Sequence, residues 1–178
     1  AEQIERLRGQ LLTGLAIRAQ DTSEVASLTF DETLFAGHPY GRTEDGYPET
    51  VQAITRQDLV DFHHQQYGPQ EMTVVVVGAI APQQAVEQVQ AALGDWSNPR
   101  QVTSITFPLV RIPQKTIRIH KPLPGKYQTD LVMGAVGPRR RSEDFLPASL
   151  GNNILGQFGM MGRIGDVVRE QAGLAYSA

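Results

Sequence analysis

The 178 residues, 40% hydrophobic and 20% charged, have the length and balance of one ample globular domain or two small ones. A formal net charge of -3 argues against a nucleic-acid surface of clustered Lys and Arg, and the absence of cysteine excludes disulfide scaffolds, thiolate zinc sites and a cysteine nucleophile. The longest purely apolar run, Val74 to Val77, is far too short for a membrane span.

The N-terminal stretch AEQIERLRGQ has neither a hydrophobic signal region nor an initiator Met, which fits a processed or excised chain. Ile4, Leu7, Leu11, Leu12 and Leu15 recur at helical spacing and predict an opening helix with a wide apolar face. Asp21, Thr22 and Ser23 offer N-cap chemistry for a second helix, with Val25, Ala26, Leu28, Leu34 and Phe35 on its inner side. Residues 37–48, GHPYGRTEDGYP, hold three Gly and two Pro and read as an extended loop. Thr55 to Asp58 form a capping box with Asp in place of Glu, and the helix it opens stops at Gly68-Pro69.

The run MTVVVVGAI predicts a central strand, because consecutive Val residues favour a pleated backbone and an unbroken apolar run implies two covered faces. Pro82 opens a further helix whose inner stripe is Ala85, Val86, Val89, Ala92 and Leu93, with Gly94 as its C-cap. Residues 95–114 contain three prolines and no sustained period and read as a linker. KTIRIHK then alternates as a half-buried strand, QTDLVMGAVG reads as its more buried partner, and helices follow from Glu143-Asp144 through Phe145, Leu146, Leu150 and Ile154-Leu155 and from Ile164 to Gln171, ending at Gly173. Elements segregated in this way predict an α+β architecture with helices covering one face of a sheet.

Few residues carry legible chemistry. His63 and His64 are adjacent, which sends them to different helix faces and denies a hydrolytic zinc site its paired ligands. His38 and His120 read as structural or exposed, no serine sits in a G-x-S-x-G elbow, and Glu44-Asp45 and Glu143-Asp144 read as solvated or capping acids. The run Arg139-Arg140-Arg141 reads as a solvated turn. Gly156, Gly159, Gly162 and Gly165 lack the Gly-Lys-Ser/Thr of a phosphate loop and read as a connection allowing close backbone packing. Arg169 offers a fixed fork of donors and Tyr176 a phenolic one, although a helix-terminal Arg and a strand Tyr are also ordinary structural residues.

Two ordered stretches, LFAGHPYGRTEDGYPETVQAITRQDLVDFHHQQYGPQEMTVVVVGAI and LGNNILGQFGMMGRIGDVVREQAGLAYSA, closely resemble the pitrilysin/insulinase family of inverted zincins, which includes the mitochondrial processing peptidases. The resemblance implies a metallopeptidase-like (LuxS/processing-peptidase-like) α+β fold made of two partial homologous units. Residues 1–94 would be the C-terminal part of one domain, 95–114 the linker, and 115–178 the N-terminal part of the next. The family's H-x-x-E-H motif lies upstream of the region matched.

Where active members read like E-R-E-R-x-x-x-x-E-E, this chain reads ERLRGQLLTG: Leu7 replaces the first inner acid, Thr13 and Gly14 stand at the paired acids, and no acid occurs between Glu5 and Asp21. The resemblance thus implies no metal ligand and no catalytic residue here, with zinc held by a partner subunit or an upstream region. Arg169 and Tyr176, seven residues apart within REQAGLAYS, match the family's pair that holds the substrate backbone. The implied function is that of a zinc-less partner subunit in a pitrilysin-like peptidase, positioning a peptide substrate without catalytic competence of its own. A non-catalytic scaffold and a part of an active single-chain zinc endopeptidase are the alternatives.

Overall fold

The protein chain begins its first unit with two helices whose ends are set by charge and capping. In the computed structural model, which describes residues 2–157 and 162–176, the chain divides into Ala1–Val132 and Met133–Ala178. Helix α1, Glu2–Arg18, carries Glu2 and Glu5 in its first turn and Arg18 in its last, the arrangement that suits the helix dipole. Helix α2, Thr22–Leu34, follows at once, because the Asp21 carboxylate accepts from the Ser23 and Glu24 N–H groups at 2.9 and 3.0 Å.

The loop after α2 is organised by His38, a buried polar residue that is 7% exposed. Its Nδ1 accepts from the Tyr40 N–H at 3.1 Å and caps the 3-10 turn Pro39–Gly41. Its ring packs edge-on against Tyr40 at 4.6 Å and stacks on Phe107 at 5.8 Å. Helix α3, Pro48–Ala53, carries Val51, which is 5% exposed. Two arginines of α1 tie it to this region: Arg8 donates to carbonyls at the end of α3, and Arg18 Nη2 lies 2.5 Å from Asp45 Oδ2.

Helix α4, Arg56–Gln66, begins with the expected reciprocal box, the Asp58 N–H donating to Thr55 Oγ1 at 3.2 Å and the Thr55 N–H to Asp58 Oδ2 at 2.7 Å. Helix α5, Pro82–Leu93, starts at the proline and ends at Gly94. Asn98 then folds back onto α4, its Nδ2 donating to the His64 and Tyr67 carbonyls at 2.7 and 2.6 Å. In the second unit, helix α6, Phe145–Asn152, passes into the wider π-wound turns Asn153–Gln157, and a second π-wound segment covers Gly165–Gln171.

The expected sheet is not formed. Among the described residues there is no β-strand, which overturns the α+β, metallopeptidase-like sheet with helices on one face. The stretches read as strands, 72–80, 115–121 and 128–137, run without a ladder of backbone hydrogen bonds to any neighbour. Val75 and Val77 are 77% and 92% exposed where two covered faces were expected. The physical reason is that a strand is a paired object. Intrinsic preferences spanning about 1 kcal/mol cannot replace the exchange of N–H and C=O groups with an adjacent chain.

Candidate substrate-binding site

The segment that carries Arg169 owes its geometry to main-chain bonds wider than those of an α-helix. The Ala172 N–H donates to the Val167 carbonyl at 3.1 Å, a step of five residues, and the Leu174 N–H reaches the Val168 carbonyl at 3.0 Å. Gly173, with φ +61, takes the left-handed conformation that ends the segment, while its N–H donates to the Arg169 carbonyl at 3.1 Å. A side-chain bond from Gln171 Nε2 to Asp166 Oδ2 at 2.9 Å braces the same turns.

Arg169 is half-buried, and its Nη1 lies 2.8 Å from Glu170 Oε1. Tyr176 lies beyond Gly173 and is 88% exposed. Among the described residues no hydrogen bond, ion pair or ring contact joins Arg169 to Tyr176. Glu170 is the residue that sequence reasoning passed over, although its place directly after Arg169 was the available signal.

The glycines ahead of this segment pack main chain on main chain. A Cβ on Gly162 would fall 2.5 Å from Gly156 Cα and 2.8 Å from its N, so no side chain fits there. Gly165 is buried, and Gly159 lies outside the described residues.

The histidines assemble no metal centre. The His63 and His64 rings are 6.0 Å apart at 64°, and His63 instead stacks on Tyr67 at 5.1 Å and 16°. His120 lines a cavity of about 440 Å³ with Thr22, Phe30 and Asp130, in which the Thr22 hydroxyl donates to the Asp130 carboxylate. Leu7, Thr13 and Gly14 lie on α1, where Thr13 Oγ1 donates to the Gly9 carbonyl at 2.8 Å and Gly14 faces open space. Among the described residues no group of three or more His, Asp or Glu side chains could hold a metal ion, so the donor set does not fit the zinc of inverted zincins. Nor is any helix among these residues long and apolar enough to cross a membrane.

Electrostatic shifts gather at helix starts. The hydrogen bond from Arg8, then its charge, holds the Glu5 carboxyl below its usual value, and the Thr55 N–H followed by the Thr55 hydroxyl does the same for Asp58. The Tyr47 phenol, which donates to Glu32 Oε1 at 2.8 Å, is pushed up mainly by that hydrogen bond.

Comparison with known proteins agrees with the resemblance read from the sequence. The family described as "Peptidase M16 inactive domain" matches residues 53–178. A protein named an uncharacterized zinc protease in Mycobacterium leprae is 29% identical over 99% of this chain and 39% of its own length. A probable mitochondrial-processing peptidase subunit beta of Arabidopsis thaliana is 30% identical over 58% of this chain and 19% of its own. The crystal structure of a peptidase M16 inactive domain from Pseudomonas fluorescens superposes with a TM-score of 0.77 at 27% identity, covering 99% of this chain and 42% of that one. The chain thus spans about two fifths of the length of the zinc proteases it matches. It belongs to the M16 peptidase family, the pitrilysin-like inverted zincins, through that family's inactive domain.

Proposed function

We propose that this chain is part of a zinc-less partner subunit of a pitrilysin-like peptidase, in which Arg169 and Tyr176 hold the backbone of a peptide substrate. The observation that carries the reading is the sequence REQAGLAYS, with Arg and Tyr seven residues apart, inside a match to the family's inactive domain. The chemistry suits the role. A guanidinium and a phenol are both donors, and two donors aimed at successive carbonyl oxygens orient an extended peptide and draw electron density from its carbonyls. Bond breaking would belong to a zinc-bearing partner subunit or an upstream region, since the acids of ERLRGQLLTG that would supply a ligand are absent. The division into 1–94, a linker at 95–114, and 115–178 belongs to the same reading.

The test is reconstitution of the full-length protein with a zinc-bearing partner. Arg169→Ala is expected to lower peptide turnover about ten- to a hundredfold, the worth of hydrogen bonds to a charged donor. Unchanged turnover would favour the scaffold reading. Chelator-sensitive cleavage by the protein without any partner would favour a single-chain endopeptidase.

A further inference from the structure

Arg169 is not presented as a bare cation. Its Nη1 is 2.8 Å from Glu170 Oε1, with the two side chains 30% and 57% exposed. Adjacent residues on a helical segment do not face one another, so the contact forms only because both long side chains turn toward each other. Among the described residues no hydrogen-bond or ion-pair partner engages Nε or Nη2, which leaves one edge of the fork for a ligand.

The neighbour changes what that edge recognises. A lone guanidinium prefers a carboxylate, which it can grip with two parallel N–H donors and full charge attraction. Such a site would favour a peptide's free C-terminus. With a carboxylate already on the fork, the local charge is close to neutral and a second carboxylate meets repulsion from the first. A neutral carbonyl meets none, and still accepts from the free N–H groups.

We propose that Glu170 is a specificity-determining residue of this site: by neutralising Arg169 it selects the neutral carbonyls of a peptide's interior over a free terminal carboxylate. The proposal rests on the reading of Arg169 as a substrate-holding residue. Glu170 acts through Arg169 and is a positioning residue.

The experiment uses the full-length protein and a fluorescent nonapeptide with uncharged side chains, prepared both as the free acid and as the C-terminal amide. Dissociation constants are read by fluorescence anisotropy for wild type, Glu170→Gln and Arg169→Ala. Wild type is expected to bind the amide at least as tightly as the acid. Glu170→Gln is expected to strengthen acid binding relative to amide binding by up to about fivefold, the upper end for an exposed charge pair. An unchanged acid-to-amide ratio in Glu170→Gln, with both peptides weakened by Arg169→Ala, overturns the role of Glu170 and leaves the site intact. Binding that Arg169→Ala does not weaken, or no binding by wild type, overturns the site itself and this inference with it.

Discussion

Arg8 Nη2 donates to the Ile54 carbonyl at 2.7 Å, across 46 residues of chain. Its Nη1 also serves the carbonyls of Val51 and Gln52, and Glu5 Oε2 holds Nε at 3.1 Å. Helix α3 is six residues long, so its last carbonyls have no partner within the helix and a forked donor from α1 satisfies them together. Arg8→Met keeps the aliphatic stem and removes every donor. It is expected to lower the urea midpoint more than Glu5→Gln does, and Arg8→Lys to recover only part of the loss, since one ammonium cannot span the same carbonyls. Equal midpoints for wild type and Arg8→Met would show that water serves these carbonyls as well.

Asn98 performs the same task for α4, and here the chemistry separates donor from shape. Its Nδ2 donates to the His64 and Tyr67 carbonyls, while its Oδ1 accepts from the Arg100 N–H at 3.0 Å. Asn98→Asp preserves the outline and the acceptor but loses both donors and sets a negative charge beside two carbonyl oxygens. It is expected to cost about 1–2 kcal/mol in denaturant titration, no less than Asn98→Ala. An aspartate variant as stable as wild type would assign the effect to side-chain shape alone.

Acid should weaken the starts of α1 and α4. Asp58 and Glu5 have folded values below their unfolded ones, through the Thr55 N–H and the Arg8 guanidinium respectively. For a depressed carboxylate the stabilisation is complete above the unfolded value, about 3.9 for Asp and 4.3 for Glu, and is lost as pH falls through the lower folded value. Urea midpoints are therefore expected to be insensitive to these groups near neutrality and to decline in acid, and the double variant Glu5→Gln, Asp58→Asn should decline less steeply. Thr55→Ala removes the cap itself and is expected to cost about 1 kcal/mol at neutral pH. A steeper acid decline in the double variant would contradict the assignment.

The helices were legible because their determinants are local. Asp21 before α2, Thr55 with Asp58 before α4, and Pro82 and Gly94 around α5 each act within a few residues, where capping rules apply. The sheet was misread because the apolar character of Val74 to Val77 records a preference for extended backbone, while pairing depends on a second chain segment that sequence pattern does not locate. The long clamps of Arg8 and Asn98 were invisible for a related reason: a side chain bonding a main-chain carbonyl leaves no complementary residue type to notice. Of the candidate site, Arg169 and Tyr176 came from resemblance to a family motif, and Glu170, whose place after Arg169 was the one sequence signal, drew notice through its distance to Nη1.

Gly173 stands between those two residues and governs their relation. Its φ of +61 costs a residue with a Cβ on the order of 1 kcal/mol, and nothing lies within 4 Å of the position where a Cβ would sit. The strain of a substitution is thus conformational and not steric, and Asn, which tolerates the left-handed region, should be accepted better than Ala. Gly173→Ala is expected to redirect the 174–176 segment and to reduce peptide turnover in the reconstituted peptidase, with Gly173→Asn intermediate. Tyr176→Phe keeps the ring and removes one neutral donor, so it is expected to lower turnover by about two- to tenfold. If the pair works as a unit, Tyr176→Phe should have little further effect once Arg169→Ala is present, because a peptide no longer held by the guanidinium does not bring its next carbonyl to the phenol. Full additivity of the two substitutions would mean that Arg169 and Tyr176 act on separate steps.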